Sequence, residues 1–311
     1  MNIIPIVFCF DDNWEIPAGV CLTSLLENAN TDTFYHIFIL YDDKCKYVSH
    51  TRIRNLPSKY KNCKITFRSV GNPFEGAFEI RGINVSTYYR LLIPKLIPEY
   101  DKIMYHDVDV VFRDDLSDIF NQTNMTGYYI AGVVSSSGLS EVGRKKKERL
   151  GLNWQEYILA GNIILNSQAL RKDNVVDEFI KHVAGSKYEF QDMDIINIVC
   201  KGKIKRMPPV FCGTIGIFEQ AANKNKQELY SLSELEELQE NGVIHYNGVK
   251  PWKALCPNFD IWWEYYRKSV YFDSKNYFEF YHSKLNELDQ LSLWKRVKLL
   301  IRYFTVFSIK K

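Results

Sequence analysis

Asp107 and Asp109 flank a single valine, and residues two apart in an extended segment project to the same side, so their carboxylates converge. Two like charges held together call for a cation. A hard divalent ion such as Mn²⁺ or Mg²⁺ prefers oxygen ligands and is commonly shared between one or two carboxylates and substrate phosphates. Read alone, a D-x-D also fits a solvated strand end. The segment His245-Tyr246-Asn247-Gly248-Val249-Lys250-Pro251-Trp252 adds the remaining parts of such a site. A neutral imidazole at His245 is a candidate third ligand, one that Mn²⁺ accepts more readily than Mg²⁺ does. By itself His245 also fits a structural histidine. Gly248 lets backbone approach a phosphate closely, Lys250 offers that phosphate a positive charge, and Pro251 with Trp252 stiffens the loop.

The elements that must position these residues are legible in the apolar pattern. Ile3 to Phe10 is a nearly continuous apolar run, as in a strand buried on both faces. Pro17 opens a helical pattern through Val20, Leu22, Leu25 and Leu26 that stops before Asn28. Strands follow at about Tyr35 to Tyr41 and Lys64 to Ser69, with a polar helical segment around Ser49 to Leu56 between them. This βαβ alternation predicts an α/β fold with a largely parallel sheet. Thr87 to Leu92 reads as helical, ending near Pro94, and a strand from Lys102 to His106 then terminates at Asp107. Ligand crevices of open α/β sheets lie outside the carboxyl ends of strands, which is where this pair falls. Further short strands are expected at Tyr128 to Val134 and Ile163 to Leu165. Between them, Glu141 to Leu152, with Arg144-Lys145-Lys146-Lys147, reads as a basic helix or lid.

The chain of 311 residues, 25% charged and 46% hydrophobic, is of ordinary globular composition. A formal charge of +3 and one short basic cluster make a weak footprint for nucleic acid, which is excluded as a partner. Seven cysteines without a CxxC pair point to reduced thiols and a cytoplasmic location. Met1 to Phe10 reads as a first strand rather than a signal peptide, and no stretch approaches the roughly 20 apolar residues of a spanning helix. The pattern changes near Tyr266, dividing the chain into a domain of residues 1–266 and a helical, basic-aromatic tail of residues 267–311. In that tail Leu293, Trp294, Val297, Ile301 and Phe304 share a helix face beside Lys295, Arg296, Lys298, Arg302, Lys310 and Lys311. Such a segment suits peripheral attachment to an anionic membrane, here the inner face of the cell membrane. A terminal helix packed on the domain is the plainer reading.

Seven segments, in order, carry a family resemblance. They are Val7 to Trp14; Ser24-Leu25-Leu26-Glu27-Asn28; Thr87-Tyr88-Tyr89-Arg90-Leu91; Tyr105-His106-Asp107-Val108-Asp109; Ala160-Gly161 before a strand ending Leu165-Asn166; Gln191 to Asn197; and the His245 to Trp252 loop. The chain resembles the family 8 glycosyltransferases over roughly its first 265 residues, in particular bacterial enzymes that extend lipopolysaccharide and other surface glycans. The resemblance implies a GT-A fold, a mainly parallel sheet flanked by helices. It implies Asp107, Asp109 and His245 as ligands of Mn²⁺, with Mg²⁺ as the substitute. It assigns Cys9, Asp11, Asn13, Trp14, Val108, Gly248 and Lys250 to the UDP-sugar donor, with Trp14 stacked on uracil and the loop on the phosphates. Arg90 and Asp192 face the transferred sugar. The activity implied is transfer of a hexose, with retention at the anomeric carbon, to a hydroxyl of a lipid-linked bacterial glycan. The alternatives are the same chemistry on the O-glycan of a surface glycoprotein, or a non-catalytic module that binds nucleotide sugar.

The chain departs from the family pattern in the sugar pocket. Met193 stands where the family has glutamine, Leu159 where it has asparagine, and Ser135 to Ser137 where an acidic residue is common. A thioether is a poor acceptor and a negligible nucleophile, so a mechanism that needs a Gln nucleophile at this position is excluded. The expectation is an altered donor sugar beside an intact metal and nucleotide site.

Overall fold

The computed structural model describes residues 2–80, 84–185, 187–222 and 229–306. Its strands are β1 (Asn2–Cys9), β2 (Thr33–Tyr41), β3 (Cys63–Ser69), β4 (Lys102–His106), β5 (Val110–Phe112), β6 (Ile130–Val134), β7 (Ile158–Asn166), β8 (Ile204–Met207), β9 (Gly213–Thr214) and β10 (Val243–His245). A seven-stranded sheet runs β3-β2-β1-β4-β7-β6-β8, and a three-stranded sheet runs β5-β10-β9. Neighbours from β3 through β4 are parallel, as are β6 and β8, while β7 is antiparallel to both β4 and β6. The expected α/β architecture with a mainly parallel sheet is therefore present, with one reversed strand, β7, fifth in the order.

Burial on both faces explains the apolar runs: Ile4, Ile6, Val7 and Phe8 of β1 are fully buried. The helix Glu15–Glu27 is buried from Pro17 to Leu26 and packs against both β5 and the helix Phe259–Lys268. It begins two residues before Pro17, which sits in the first turn, where its missing N–H leaves no bond unmade. Pro94 likewise lies at the start of a helical turn, Ile93–Leu96, that continues the 3₁₀ segment Val85–Leu92, so it does not end the helical stretch as its position predicts. The polar segment after β2 breaks into 3₁₀ turns at Tyr47–Ser49 and Arg52–Asn55, the second capped by the Thr51 side chain. The predicted strand Ile163 to Leu165 extends back to Ile158 because it pairs with β4 and β6 on either side.

The basic run is the helix Glu141–Arg149, and its charges are divided. Lys145 pairs with Glu141 and Lys146 with Glu189, while Lys147 is buried with its ammonium 4.5 Å from the Tyr157 ring centre. Packing on the domain continues beyond Tyr266. Tyr271 hydroxyl bonds Glu15 and Thr51, and Trp263 packs against Phe280 and Tyr281 of the helix Ser274–Asp289. Leu293, Trp294 and Ile301 of the helix Leu293–Val306 are exposed. The side chains of Arg302 and Phe304, and Lys310 and Lys311 altogether, lie outside the described residues. Among the described residues no helix is long and apolar enough to cross a membrane.

Candidate active site

β4 ends at His106, which delivers Asp107 to the carboxyl edge of the central sheet. Past a bend at Val108 and Asp109 the chain enters β5, whose antiparallel pairing with β10 sets His245 opposite Val110. Two sheets therefore meet at the acidic pair. One oxygen of Asp107, Oδ1, accepts from the Tyr105 hydroxyl at 2.6 Å and lies 2.9 Å from Arg90 Nη2. The other, Oδ2, faces His245 Nε2 at 3.7 Å, and Asp109 Oδ1 lies 3.3 Å from the same nitrogen. Lys250 Nζ closes the group, 2.5 Å from Asp109 Oδ2 and 2.6 Å from the Tyr246 carbonyl oxygen.

These contacts polarise the site. Burial works to raise the pKa of Asp109, but His245 and Lys250 outweigh it and hold the carboxyl well below the usual range. At His245 burial works against protonation, and the Asp109 carboxylate overcomes it, lifting the value from 6.5 to about 10. Arg90 is buried, which alone would lower its pKa, and the charges of Asp107 and Asp192 raise it instead. Asp192 is raised, chiefly by burial, against the pull of Arg90 and Thr87.

The residues fit a divalent cation. Asp107, Asp109 and His245 each offer a ligand atom, and these atoms lie within 4.8 Å of one another. The space between them depends on Gly161. A Cβ there would fall 2.5 Å from Asp107 Oδ2 and 2.5 Å from His245 Cε1, inside the cradle itself. Two carboxylates and an imidazole are a donor set that Mn²⁺ accepts.

On the predicted nucleotide side, Asp11 Oδ1 caps the 3₁₀ turn Asp12–Trp14 through the Asn13 N–H, and its Oδ2 accepts from Asn84 Nδ2 at 2.5 Å. Trp14 meets Trp252 edge to face at 5.7 Å, and the Lys250 ammonium lies 5.5 Å from the Trp14 ring centre. Trp14, Lys250 and the acidic pair thus form one continuous surface. The Cys9 and Val108 side chains are buried in the core cluster, which leaves their main chain for any ligand contact. Burial also pushes the Cys9 thiol pKa well up. Gly248 is close to Ile215, whose Cδ1 would lie 3.0 Å from an added Cβ.

Arg90 joins this surface to the predicted sugar side. Its Nε lies 3.1 Å from Asp192 Oδ2, its Nη1 donates to the Ala160 carbonyl at 2.8 Å, and Thr87 Oγ1 donates to Asp192 Oδ1 at 2.6 Å. Gln191, at φ 38°, turns the chain into the helix Gln191–Val199 and sets Asp192 in its first turn. Met193 is half-buried and Leu159 buried. Asp194 is structural: it accepts from the Tyr157 hydroxyl at 2.5 Å and from the Phe190 N–H at 2.9 Å.

Sequence reasoning missed several contributors. Tyr105 and Thr87, which orient the two carboxylates, stand within recognised segments but carry no chemical signal of their own. A buried group behind His245, made of His106, Asn162 and Cys212, had only one detectable sign, a histidine where an apolar strand should continue.

Comparisons with known proteins identify the family and the fold. Residues 5–256 match the family model described as Glycosyl transferase family 8. A Haemophilus influenzae relative is 29% identical over 209 residues, 64% of this chain and 60% of its own length. Glycosyltransferase GlyB of Streptococcus pneumoniae is 24% identical over 85% of this chain and 62% of its own. The chain thus spans about three-fifths of the length of these two curated relatives. The lipopolysaccharide 1,2-glucosyltransferase of Escherichia coli is 24% identical over 78% of this chain and 71% of its own. The solved structure of galactosyltransferase LgtC with donor and acceptor sugar analogues superposes with a TM-score of 0.70 at 24% identity, covering 88% of this chain and 98% of that one. That likeness shows the GT-A fold.

Proposed function

The chain belongs to glycosyl transferase family 8, and we propose that it is a retaining, Mn²⁺-dependent enzyme that moves a hexose from a UDP-sugar to a hydroxyl of a bacterial surface glycan. One observation carries the reading: Asp107, Asp109 and His245 converge on a space kept open by Gly161, with Lys250 and Trp14 beside it. Mn²⁺ held there supplies Lewis acidity against the charge that develops on the departing UDP.

The chain's own residues do the rest. Lys250 turns from Asp109 to a donor phosphate and offsets charge on the leaving group. Trp14 stacks on the uracil, and Asp11 and Asn13 hold the uridine. Arg90 holds Asp192 toward the sugar hydroxyls while orienting Asp107. Met193 offers no nucleophile; the acceptor hydroxyl attacks from the face the phosphate leaves and passes its proton to the departing phosphate oxygen, and retention follows from that shared face. The name of the Escherichia coli relative supports a glycan acceptor. The exposed Leu293, Trp294 and Ile301, interleaved with Lys295, Arg296 and Lys298, support a lipid-linked one reached at a membrane surface.

A thermal-shift screen of UDP-sugars tests the reading, because a ligand that binds only the native state raises its apparent stability. The melting temperature is expected to rise with UDP-sugar and Mn²⁺ together and little with either alone, and the same mixture should release UDP slowly by hydrolysis. No Mn²⁺-dependent shift and no UDP release with any donor would reject it.

A further inference from the structure

Behind the metal cradle lies a second polar group that the reaction does not touch. The antiparallel register of β4 and β7 sets His106 opposite Asn162. Asn162 Oδ1 lies 2.5 Å from His106 Nδ1, and its Nδ2 lies 3.0 Å from His245 Nδ1 and 2.8 Å from Cys212 Sγ. Cys212 Sγ is also 3.5 Å from His245 Nδ1. His106, Asn162 and Cys212 are fully buried, and the rings of Phe112 and Phe211 pack on His106, each at 5.1 Å. Among the described residues His106 Nε2 has no hydrogen-bond partner. A wholly buried amide thus spans two imidazoles, one of which faces the carboxylates with its other nitrogen.

Whether His245 is an imidazolium or holds a metal through Nε2, its Nδ1 carries a proton and needs an acceptor. Two are within reach, the Asn162 amide and the Cys212 sulfur, and a thiol sulfur accepts weakly. The nitrogen and oxygen ends of an amide have nearly the same shape, so the protons decide which end faces which ring. Turned end for end, Asn162 gives its oxygen to His245 and its NH₂ to His106. His106 must then present a bare Nδ1 and carry its proton on Nε2. The opposite placement sets two donors against each other at His245.

We propose that Asn162 is a positioning residue of the metal centre: its amide holds the His245 ring from behind with Nε2 aimed at the cation, and locks His106 in the Nε2-protonated tautomer. Cys212 fills the remaining space beside the amide and is dispensable for metal binding. The inference rests on the metal reading of Asp107, Asp109 and His245, and extends it to residues that contact neither substrate nor metal.

The test uses Mn²⁺ alone, its free concentration read by electron paramagnetic resonance, on the full chain without nucleotide. Asn162→Leu is expected to weaken Mn²⁺ binding by about 10- to 100-fold, the usual effect of removing a partner behind a metal ligand. Asn162→Asp, whose carboxylate also accepts from His245, should bind close to wild type, as should Cys212→Ala. Long-range ¹H–¹⁵N spectra of the Mg²⁺-loaded wild type supply a readout that needs no variant: protons on His245 Nδ1 and on His106 Nε2. A folded Asn162→Leu that binds Mn²⁺ as wild type does, or a His106 protonated on Nδ1 in the loaded protein, would overturn the proposal. Wild-type protein that takes up no Mn²⁺ would instead sink the metal reading itself, and this inference with it.

Discussion

Lys250 and Asp109, 141 residues apart, are joined ammonium to carboxylate, Nζ to Oδ2 at 2.5 Å. The lysine expected to serve the donor phosphates therefore rests on a predicted metal ligand. Removing its charge should have opposite effects on two affinities. Lys250→Gln frees Asp109 Oδ2 and should bind Mn²⁺ alone a few-fold more tightly. The same variant should bind UDP in saturating Mn²⁺ about tenfold more weakly, the scale of one charge-assisted hydrogen bond. Calorimetric titrations of metal and then of UDP check both signs. Two changes in the same direction would contradict the shared role.

Gly161 should be the least replaceable glycine of the site. An added methyl would sit 2.5 Å from both Asp107 Oδ2 and His245 Cε1, and packed surroundings do not yield that much room. Gly161→Ala is expected to fold and to lose at least about tenfold in Mn²⁺ affinity. Mn²⁺ titration alongside far-ultraviolet circular dichroism separates the two properties.

His106 should make the protein sensitive to acid. Burial lowers its pKa from 6.5 to about 3. The unfolded chain then takes up a proton below pH 6.5 that the native ring refuses until about pH 3. This contribution is complete above pH 6.5 and is lost as pH falls toward 3, at up to about 1.4 kcal/mol per pH unit. Urea unfolding of wild type and His106→Leu at pH 7 and pH 5 measures it. Wild type should lose more stability over that interval than the variant does.

Leu159 and Met193 should set donor choice. Both are apolar where the family pattern is polar, and apolar side chains give sugar hydroxyls no partner. Leu159→Asn with Met193→Gln should shift hydrolysis toward UDP-galactose or UDP-glucose by about tenfold, one or two hydrogen bonds' worth of discrimination. A donor panel compares the ratios. Wild type that already prefers these two donors to the same degree would remove the case for altered specificity.

Truncation after Gln290 should separate attachment from catalysis. The deleted segment carries Leu293, Trp294 and Ile301 exposed, along with the basic residues of the last helix. The shortened protein is expected to leave vesicles containing phosphatidylglycerol in a flotation assay while its UDP affinity is unchanged. Continued flotation would place the membrane contact elsewhere.

Much of the molecule follows from local pattern. Continuous apolar runs announce doubly buried strands, and a D-x-D at the end of one announces a pair of neighbouring carboxylates, because period and charge are properties of neighbouring residues. Asp107, Asp109, His245 and Lys250 were all legible as types suited to a metal-bound phosphate. The structure alone decided which oxygen of Asp107 is free, since Tyr105 and Arg90 take Oδ1 and leave Oδ2 to the cradle. It decided that Gly161 is the empty space of the site and that His106, Asn162 and Cys212 stand behind it. Those relationships join residues whose separation in the chain carries no signal. They depend on the register of β4 against β7 and of β5 against β10, where a slip of one residue would turn each side chain to the other face.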